Sequence, residues 1–260
     1  EIVSRDWSSD VCSSDLYNAG GVLGDNARKS VVEPDGAIVS AGYVGIGTNH
    51  VALVRVLPNG TLDDKFGNFV FPADTGKEQG VVPKPGVAVF NPFKADGGFA
   101  ETYGVARLSD GSYVITGYGG ATAANGTSTM GFKPTVMPDL VAFKMKGNAL
   151  DLNWGNKGGM AVQSEGLNRA TTEERGRALV ALPDDRTVHV GRFGGVAAAY
   201  VFTKDGKLDT TVDGDGILEF GSPTIAAQFF NVAASPDNKR LAMTTNADAA
   251  GARLVVLDVE

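Results

Sequence analysis

The chain reads Val31-Val32-Glu33-Pro34-Asp35-Gly36-Ala37-Ile38-Val39-Ser40-Ala41-Gly42-Tyr43 near its start. Two short apolar runs flank a Pro-Asp-Gly turn and the second run closes on glycine, which is the pattern of a β-hairpin. The same pattern recurs at residues 105–118, 179–191 and 232–243. Because a unit of this size cannot bury its own apolar face, the recurrence predicts repeats that stack on one another.

A second hairpin follows the first in each of the first three units. In unit one, Val51–Leu57 and Thr61–Gly67 flank the turn Pro58-Asn59-Gly60, and residues 149–155 and 207–214 correspond to Thr61–Gly67. Each unit is therefore predicted to be a four-stranded antiparallel meander. The predicted units cover approximately residues 25–70, 100–158, 174–220 and 226–260.

Unit one resembles the delta-60 repeat family of bacterial proteins. The resemblance rests on Pro34-Asp35-Gly36, Ala41-Gly42-Tyr43, Ala52-Leu53-Val54-Arg55-Val56 and Asn59-Gly60-Thr61-Leu62-Asp63-Asp64-Lys65-Phe66-Gly67. It covers most of residues 17–260 and weakens through the later units. The resemblance implies an all-β fold, a β-propeller, and a bacterial protein that is exported or lies at the cell surface. The units of this chain correspond to about four blades. It implies no catalytic residues.

The first residues are unlike the rest of the chain. Residues 6–16 read Asp-Trp-Ser-Ser-Asp-Val-Cys-Ser-Ser-Asp-Leu, which resembles a translated sequencing-library adapter. We therefore expect residues 1–16 to be a non-native leader and residues 17–260 to form one repeat domain. The single cysteine, Cys12, lies in the leader, so the expected domain has no disulfide, thiolate metal site or cysteine nucleophile.

The arrangement of the blades has two possible forms at this stage. Residues 17–24 are predicted to be a strand that completes the last blade and closes a small ring. Without that strand, the four blades form a truncated or open ring. A closed ring predicts a monomer.

Composition argues against several classes of partner. The formal net charge is −7 and the basic residues are scattered, so nucleic acid is not an expected partner. No apolar run approaches the roughly 18 residues of a transmembrane helix. Gly-rich stretches such as residues 117–120 follow strands but open no helix, which excludes a nucleotide-binding loop. We expect no cofactor.

Metal-binding and catalytic patterns are weak. Asp209, Asp213 and Asp215 resemble an oxygen-rich cation loop, but a bidentate glutamate is missing at the required distance. His50 and His189 occupy different strand positions in their units and form no metal-ligand pattern. We therefore predict no metal ligand and no catalytic residue.

Two long segments interrupt the repeat and predict a binding face. Residues 68–99 separate units one and two, and residues 119–137 lie within unit two. In an up-and-down blade, both are expected on the face opposite the Asp-Gly turns, and loops on a rigid scaffold often bind partners. The alternative is that they are tolerated surface elaborations. The candidate binding residues are Phe90, Phe93, Phe99, Asn125, Phe132 and Asp139.

Two classes of function remain open. The first is a non-catalytic binding or scaffold propeller that recognises a protein or glycan through the face of the long segments. The second is a hydrolase or lyase that uses carboxylates from Asp74, Glu78, Asp96, Glu101, Asp139, Glu165, Glu173 and Glu174. Aromatic residues in the long segments and the lack of a repeated acid–base pair favour binding.

Some side chains recur at matching places in the units. Arg55 and Lys144 share a place in the third strands, and Tyr43, Tyr118 and Phe193 follow the second strands. One interpretation is a ring of groups that lines a shared channel. The other, which we favour, is repeat packing with cations whose alkyl stems lie along apolar surface.

Overall fold

Four small antiparallel sheets lie around a ring in the computed structural model, as in a four-bladed β-propeller. This confirms the predicted all-β, propeller-like fold class. The described residues are 23–67, 86–93, 97–120, 138–147, 149–155, 159–163, 174–221, 227–245 and 251–259. Within these stretches no helix occurs, and so no helix long and apolar enough to cross a membrane.

Each sheet is a meander and forms one blade. Blade 1 contains β1 (Leu23–Val32), β2 (Ile38–Ile46), β3 (Thr48–Val56) and β4 (Val87–Phe90). Blade 2 contains β5 (Phe99–Arg107), β6 (Tyr113–Gly120), β7 (Asp139–Lys146), β8 (Ala149–Leu150) and β9 (Met160–Gln163). Blade 3 contains β10 (Arg175–Ala181), β11 (Thr187–Phe193), β12 (Val196–Phe202) and β13 (Ile217–Phe220). The described part of blade 4 contains β14 (Phe229–Ala234), β15 (Arg240–Thr245) and β16 (Leu254–Asp258).

The first hairpin of each blade is fixed by an aspartate in its turn. Asp35 Oδ1 accepts a hydrogen bond from the backbone N–H of Ala37 at 2.9 Å, which is the local bond that favours aspartate in turns. The same bond recurs at Asp110, Asp184 and Asp237. The end of each blade that carries this turn is called the turn end below, and the opposite end is called the loop end.

The fourth strand of blade 1 differs from the prediction. Residues 61–67 were expected to form it, but Leu62 makes only an isolated bridge to Val56. The Asp63 carboxylate then accepts a hydrogen bond from the Lys65 N–H and turns the chain. The outer strand is β4, which pairs with β3 from Val54 to Val51. Blade 1 therefore continues to Phe90, past the predicted limit at residue 70.

The core consists of three apolar layers, each between two successive blades. Between blades 1 and 2, the rings of Phe90 and Phe143 meet edge to face at 5.1 Å. Between blades 2 and 3, Trp154 packs near Phe202 and donates its indole N–H to the Lys204 carbonyl at 3.1 Å. The layers hold consecutive blades together, because each blade covers an apolar face of the next.

The remaining faces of the first and last blades are more exposed. Val32 in blade 1 is 71% exposed, and Leu254 in blade 4 is 65% exposed. Among the described residues, no fourth buried cluster joins blade 4 to blade 1. The predicted closing strand lies mostly outside the described residues, and its last two residues, 23–24, belong to β1.

Candidate functional site

The inner strand of every blade carries an extra residue without a partner in the neighbouring strand. Register shifts in β1, β5, β10 and β14 leave unpaired Arg28, Tyr103, Arg177 and Phe230, respectively. A β-bulge of this kind re-aims the side chain of the extra residue. These four residues, one from each blade, are called the bulge row below.

Side chains of the bulge row contact one another in order. The Arg28 guanidinium lies 4.8 Å from the centre of the Tyr103 ring. Arg177 lies 4.4 Å from the same ring and 5.5 Å from the centre of the Phe230 ring. Cations and rings therefore alternate across the four blades, which places one shared site at the inner strands.

A glycine faces the inner strand beside each of the first three bulges. A Cβ on Gly117 would lie 1.8 Å from the Glu101 carbonyl oxygen, and Gly42 and Gly191 approach their own inner strands as closely. No side chain fits in that space. Glycine is therefore required here because it lets the inner strand lie close to the second strand.

Further aromatic and charged residues complete the site. The axial cluster, as we name it, consists of Arg28, Tyr43, Glu101, Tyr103, Tyr118, Arg175, Arg177 and Phe230. Tyr103 and Tyr118 stack with centroids 5.2 Å apart, and the Arg175 guanidinium lies 4.6 Å from the Tyr118 ring centre. The cluster thus holds three arginines among four aromatic rings.

Glu101 is the one carboxylate of the axial cluster, and both of its oxygens accept hydrogen bonds. Asn49 Nδ2 donates to one oxygen at 2.5 Å, and the Tyr103 hydroxyl donates to the other at 2.7 Å. The Tyr103 and Tyr118 hydroxyls lie 3.0 Å apart. Burial raises the pKa of both tyrosines, and for Tyr103 the hydrogen bonds to Tyr118 and Glu101 raise it further. Both phenols are therefore neutral hydrogen-bonding groups at physiological pH.

The axial cluster lies in the loop-end half of the blades. Tyr118 is two residues from the last residue of β6, and Arg177 is the third residue of β10. Both positions are at the loop end, because the second strand ends there and the inner strand begins there. Phe230 is 48% exposed, so the cluster is open to solvent on one side.

At the turn end, Arg55 and Lys144 are paired with carboxylates. Arg55 bonds to Glu33 and Asp63, and Lys144 Nζ lies 3.6 Å from an Asp110 carboxylate oxygen. Burial opposes the ionisation of Glu33, but hydrogen bonds from Tyr113 and Arg55 outweigh it and hold the Glu33 pKa below its usual range. Arg55 and Lys144 therefore form ion pairs at the turn end, which the packing interpretation did not include.

The aromatic residues that follow the second strands, Tyr43, Tyr118 and Phe193, do not all have the same role. Two of them fit a shared channel and one fits repeat packing. Tyr43 and Tyr118 belong to the axial cluster, as a shared channel would require. Phe193 does not, because it is buried between blades and packs edge to face on Tyr200 at 6.0 Å. The residue that matches the two tyrosines is Arg192, which directly follows Gly191.

The predicted binding residues are scattered in the structure. Phe90 and Phe93 are buried in the core, and buried rings cannot form a surface for a partner. Phe99 is half-buried and packs edge to face on Tyr118 at 6.1 Å, and Asp139 is buried at the start of β7. Asn125 and Phe132 lie outside the described residues.

The sequence analysis did not predict the bulge row. A single extra residue in an inner strand barely changes the alternation of apolar and polar residues, so the sequence pattern gives no clear signal of the bulge.

The two long segments do not leave the blades at the same end, so their predicted common face is wrong. Gly67 and Gly86, which flank residues 68–85, lie at the turn end, where Gly86 N donates to the Phe66 carbonyl at 2.9 Å. Residues 121–137 connect Gly120 to β7 at the loop end. The reason is β4, which crosses the blade and leaves only residues 91–98 at the loop end.

The candidate cation loop is a structural turn. Asp209 Oδ1 accepts hydrogen bonds from the Thr211 N–H and hydroxyl, and its other oxygen lies 3.4 Å from Arg186 Nη1. Asp215 Oδ1 accepts the Ile217 N–H at 2.9 Å. Across the stretches that the structure describes, no group of three or more histidine, cysteine, aspartate or glutamate side chains could hold a metal ion.

His189 is a core residue and should make the fold sensitive to acid. Burial lowers its pKa to about 3, so it stays neutral in the folded protein while the unfolded chain binds a proton below about pH 6.5. Its contribution to stability is complete above that pH and falls by about 1.4 kcal/mol per pH unit below it. From pH 7.5 to 5.0, the wild type should lose about 2 kcal/mol more unfolding free energy than His189→Gln. Urea unfolding at both pH values measures this difference, and equal losses would contradict it.

Comparison with known proteins gives only distant similarities. No protein-family model matches the chain, and no curated protein matches it. A gluconolactonase from Xanthomonas campestris is similar at a TM-score of 0.42 and 12% identity, over 88% of this chain and 55% of that one. A hypothetical protein from Leishmania major is similar at a TM-score of 0.28 and 10% identity, over 92% of this chain and 87% of that one. The chain thus spans about half the length of the gluconolactonase, and the resemblance to delta-60 repeats stays a prediction.

Proposed function

We propose that this chain is a non-catalytic binding propeller, and that it binds a glycan at the loop end of the axial cluster. The observation that carries the proposal is the composition of the cluster. Its half-exposed Phe230 ring offers an apolar surface and its arginines offer N–H donors, which are groups that can contact sugar rings and bind their oxygens. Export to a bacterial cell surface, where glycans are abundant, is part of the same proposal and rests on the family resemblance.

The axial cluster is poorly suited to hydrolysis. Glycoside hydrolysis uses two carboxyl groups, one of which must hold a proton to donate to the leaving group. Glu101 is the only carboxylate of the cluster, and both of its oxygens already accept hydrogen bonds. Binding is therefore the function that these residues support best.

A hydrolase remains the second candidate because of two other carboxylates at the loop end. Asp139 and Glu174 are both buried, and the Glu174 N–H donates to the carbonyl of Pro138 at 3.0 Å. The backbone thus brings two acidic residues from blades 2 and 3 together. Buried carboxylates on adjacent segments are a recognised setting for acid–base chemistry.

Affinity electrophoresis through gels that contain neutral or acidic polysaccharides tests the proposal. Wild-type protein should be retarded by at least one polysaccharide, and Tyr103→Ala should weaken the retardation about tenfold or more, because Tyr103 is the ring against which both Arg28 and Arg177 are held. Leu152→Ala, an exposed change at the turn end, is the matched control and should bind like the wild type.

Two results would count against the proposal. Binding of no polysaccharide would remove its basis. Release of new reducing ends from a retained polysaccharide, abolished by Asp139→Asn or Glu174→Gln, would establish the hydrolase instead.

A further inference from the structure

The arginines of the bulge row are held by rings rather than by carboxylates. Arg177 lies over Tyr103 at 4.4 Å and Tyr118 at 5.1 Å, with Phe230 on another side at 5.5 Å. Arg28 lies over Tyr43 at 5.1 Å and Tyr103 at 4.8 Å. Arg28 Nη2 also donates to the Tyr43 hydroxyl at 2.7 Å. Stacking orients a guanidinium plane without using its N–H donors, so the remaining donors of Arg28 can bind a ligand.

Arg177 shows this most clearly. Its Nε is buried, and no described residue accepts a hydrogen bond from it. With the described residues Arg177 also makes no ion pair. A buried donor without an acceptor costs about 1–3 kcal/mol, and an acceptor supplied by a ligand would offset that cost.

The turn end provides an internal contrast. Arg55 bonds to two carboxylates there, and Arg186 Nε donates to Asp184 at 2.6 Å. The same chain therefore pairs arginines with acids where their role is structural. In the axial cluster, by contrast, Arg28 and Arg177 lie against aromatic rings.

We infer that Arg177, together with Arg28, forms a subsite for a carboxylate on the bound ligand. This inference rests on the proposed function and specifies its ligand as an acidic glycan, one that contains a uronic acid. A guanidinium binds a carboxylate through two parallel N–H bonds, and the half-exposed Phe230 ring beside Arg177 offers an apolar surface to the sugar that bears it. The acidic character of the rest of the chain disfavours a densely charged polyanion and suits a single charged group.

Sodium glucuronate is a small probe that tests the subsite without a polysaccharide. Wild-type protein should melt at a higher temperature in sodium glucuronate than in sodium chloride of equal ionic strength, and glucose should give no such increase. Arg177→Gln should lose most of the glucuronate effect. Arg240→Gln removes the same charge from an exposed position on blade 4 and should keep it. Far-UV circular dichroism and the melting temperature without ligand show whether each variant is folded.

A second variant guards against a folding defect in Arg177→Gln. Arg28 is exposed, so Arg28→Gln should fold normally and reduce the glucuronate effect in part. In the electrophoresis assay, Arg177→Gln should lose about tenfold or more affinity for a uronic-acid polysaccharide and keep its affinity for the carboxyl-reduced form.

The outcomes separate the two proposals. Polysaccharide binding with equal strength for the acidic and carboxyl-reduced forms, and no glucuronate effect, would overturn the subsite and leave the binding function standing. A glucuronate effect that depends on Arg177, without any polysaccharide binding, would support the subsite and overturn the glycan function. An equal loss in Arg240→Gln would overturn the subsite, because the effect would then follow net charge alone.

Discussion

Phe143→Ala is expected to lower the free energy of unfolding by about 3–5 kcal/mol, because it empties the apolar layer between blades 1 and 2. Phe143 is 1% exposed, and its ring meets Phe90 of the neighbouring blade edge to face at 5.1 Å. The loss combines the transfer free energy of the ring with the cavity that a rigid layer cannot close. Chemical unfolding followed by circular dichroism measures it.

Leu152→Ala is the control for Phe143→Ala. Leu152 is 52% exposed at the turn end of blade 2, so removal of its side chain should change the unfolding free energy by less than about 0.5 kcal/mol. If both substitutions had similar small effects, the apolar layer between blades 1 and 2 would not be the element that joins them.

The hairpins and the propeller arrangement could be predicted because their causes are local. Each turn aspartate bonds to the N–H two residues on, and the next position takes a positive φ in all four blades. That position holds Gly36 and Gly111 in the first two blades and Asp185 and Asn238 in the last two. Since the backbone requirement is the same, the sequence pattern survives the change of residue.

The outer strand could not be predicted because its cause is not local. Residues 61–67 have the composition of a strand, but the side chain of Asp63 bonds to the following backbone and makes a turn. The outer strand that pairs with β3 begins only at Val87, twenty residues after Gly67. The alternation of apolar and polar residues does not show which later segment pairs with β3. The predicted common face of the long segments failed for the same reason.

The axial cluster was only partly predictable. The recurring Gly-Tyr pairs marked Tyr43 and Tyr118, but the bulge that brings Arg28 and Arg177 to the same place is one residue in a strand of ordinary appearance. In blade 3, Gly191 marks the residue that corresponds to Tyr43 and Tyr118, because it follows an apolar run as Gly42 and Gly117 do. The residue after it is Arg192, and the neighbouring aromatic residue, Phe193, occupies the next position and points to the core.

Gly117→Ala is expected to destabilise the fold by at least about 3 kcal/mol, through a clash rather than a cavity. The new Cβ would lie 1.8 Å from the Glu101 carbonyl oxygen and 2.8 Å from the Thr102 Cα. Both are backbone atoms of the inner strand, so no side-chain rotation relieves the contact, and β5 must move away from β6. A fall in melting temperature of about 2–4 °C per kcal/mol should accompany the loss.

Gly60→Ala separates this clash from the general cost of replacing a glycine. Gly60 has a φ of +86° and nothing within 4 Å of a built Cβ, so its replacement should cost only about 1–2 kcal/mol of left-handed backbone strain. Gly117→Ala should also weaken glycan retardation even at temperatures where the variant is folded, because Glu101 and Tyr118 flank the displaced backbone. Gly60→Ala should bind like the wild type, since it lies at the turn end. Equal stability losses in the two variants would mean that the close approach of β5 and β6, on which the geometry of the axial cluster depends, is not present.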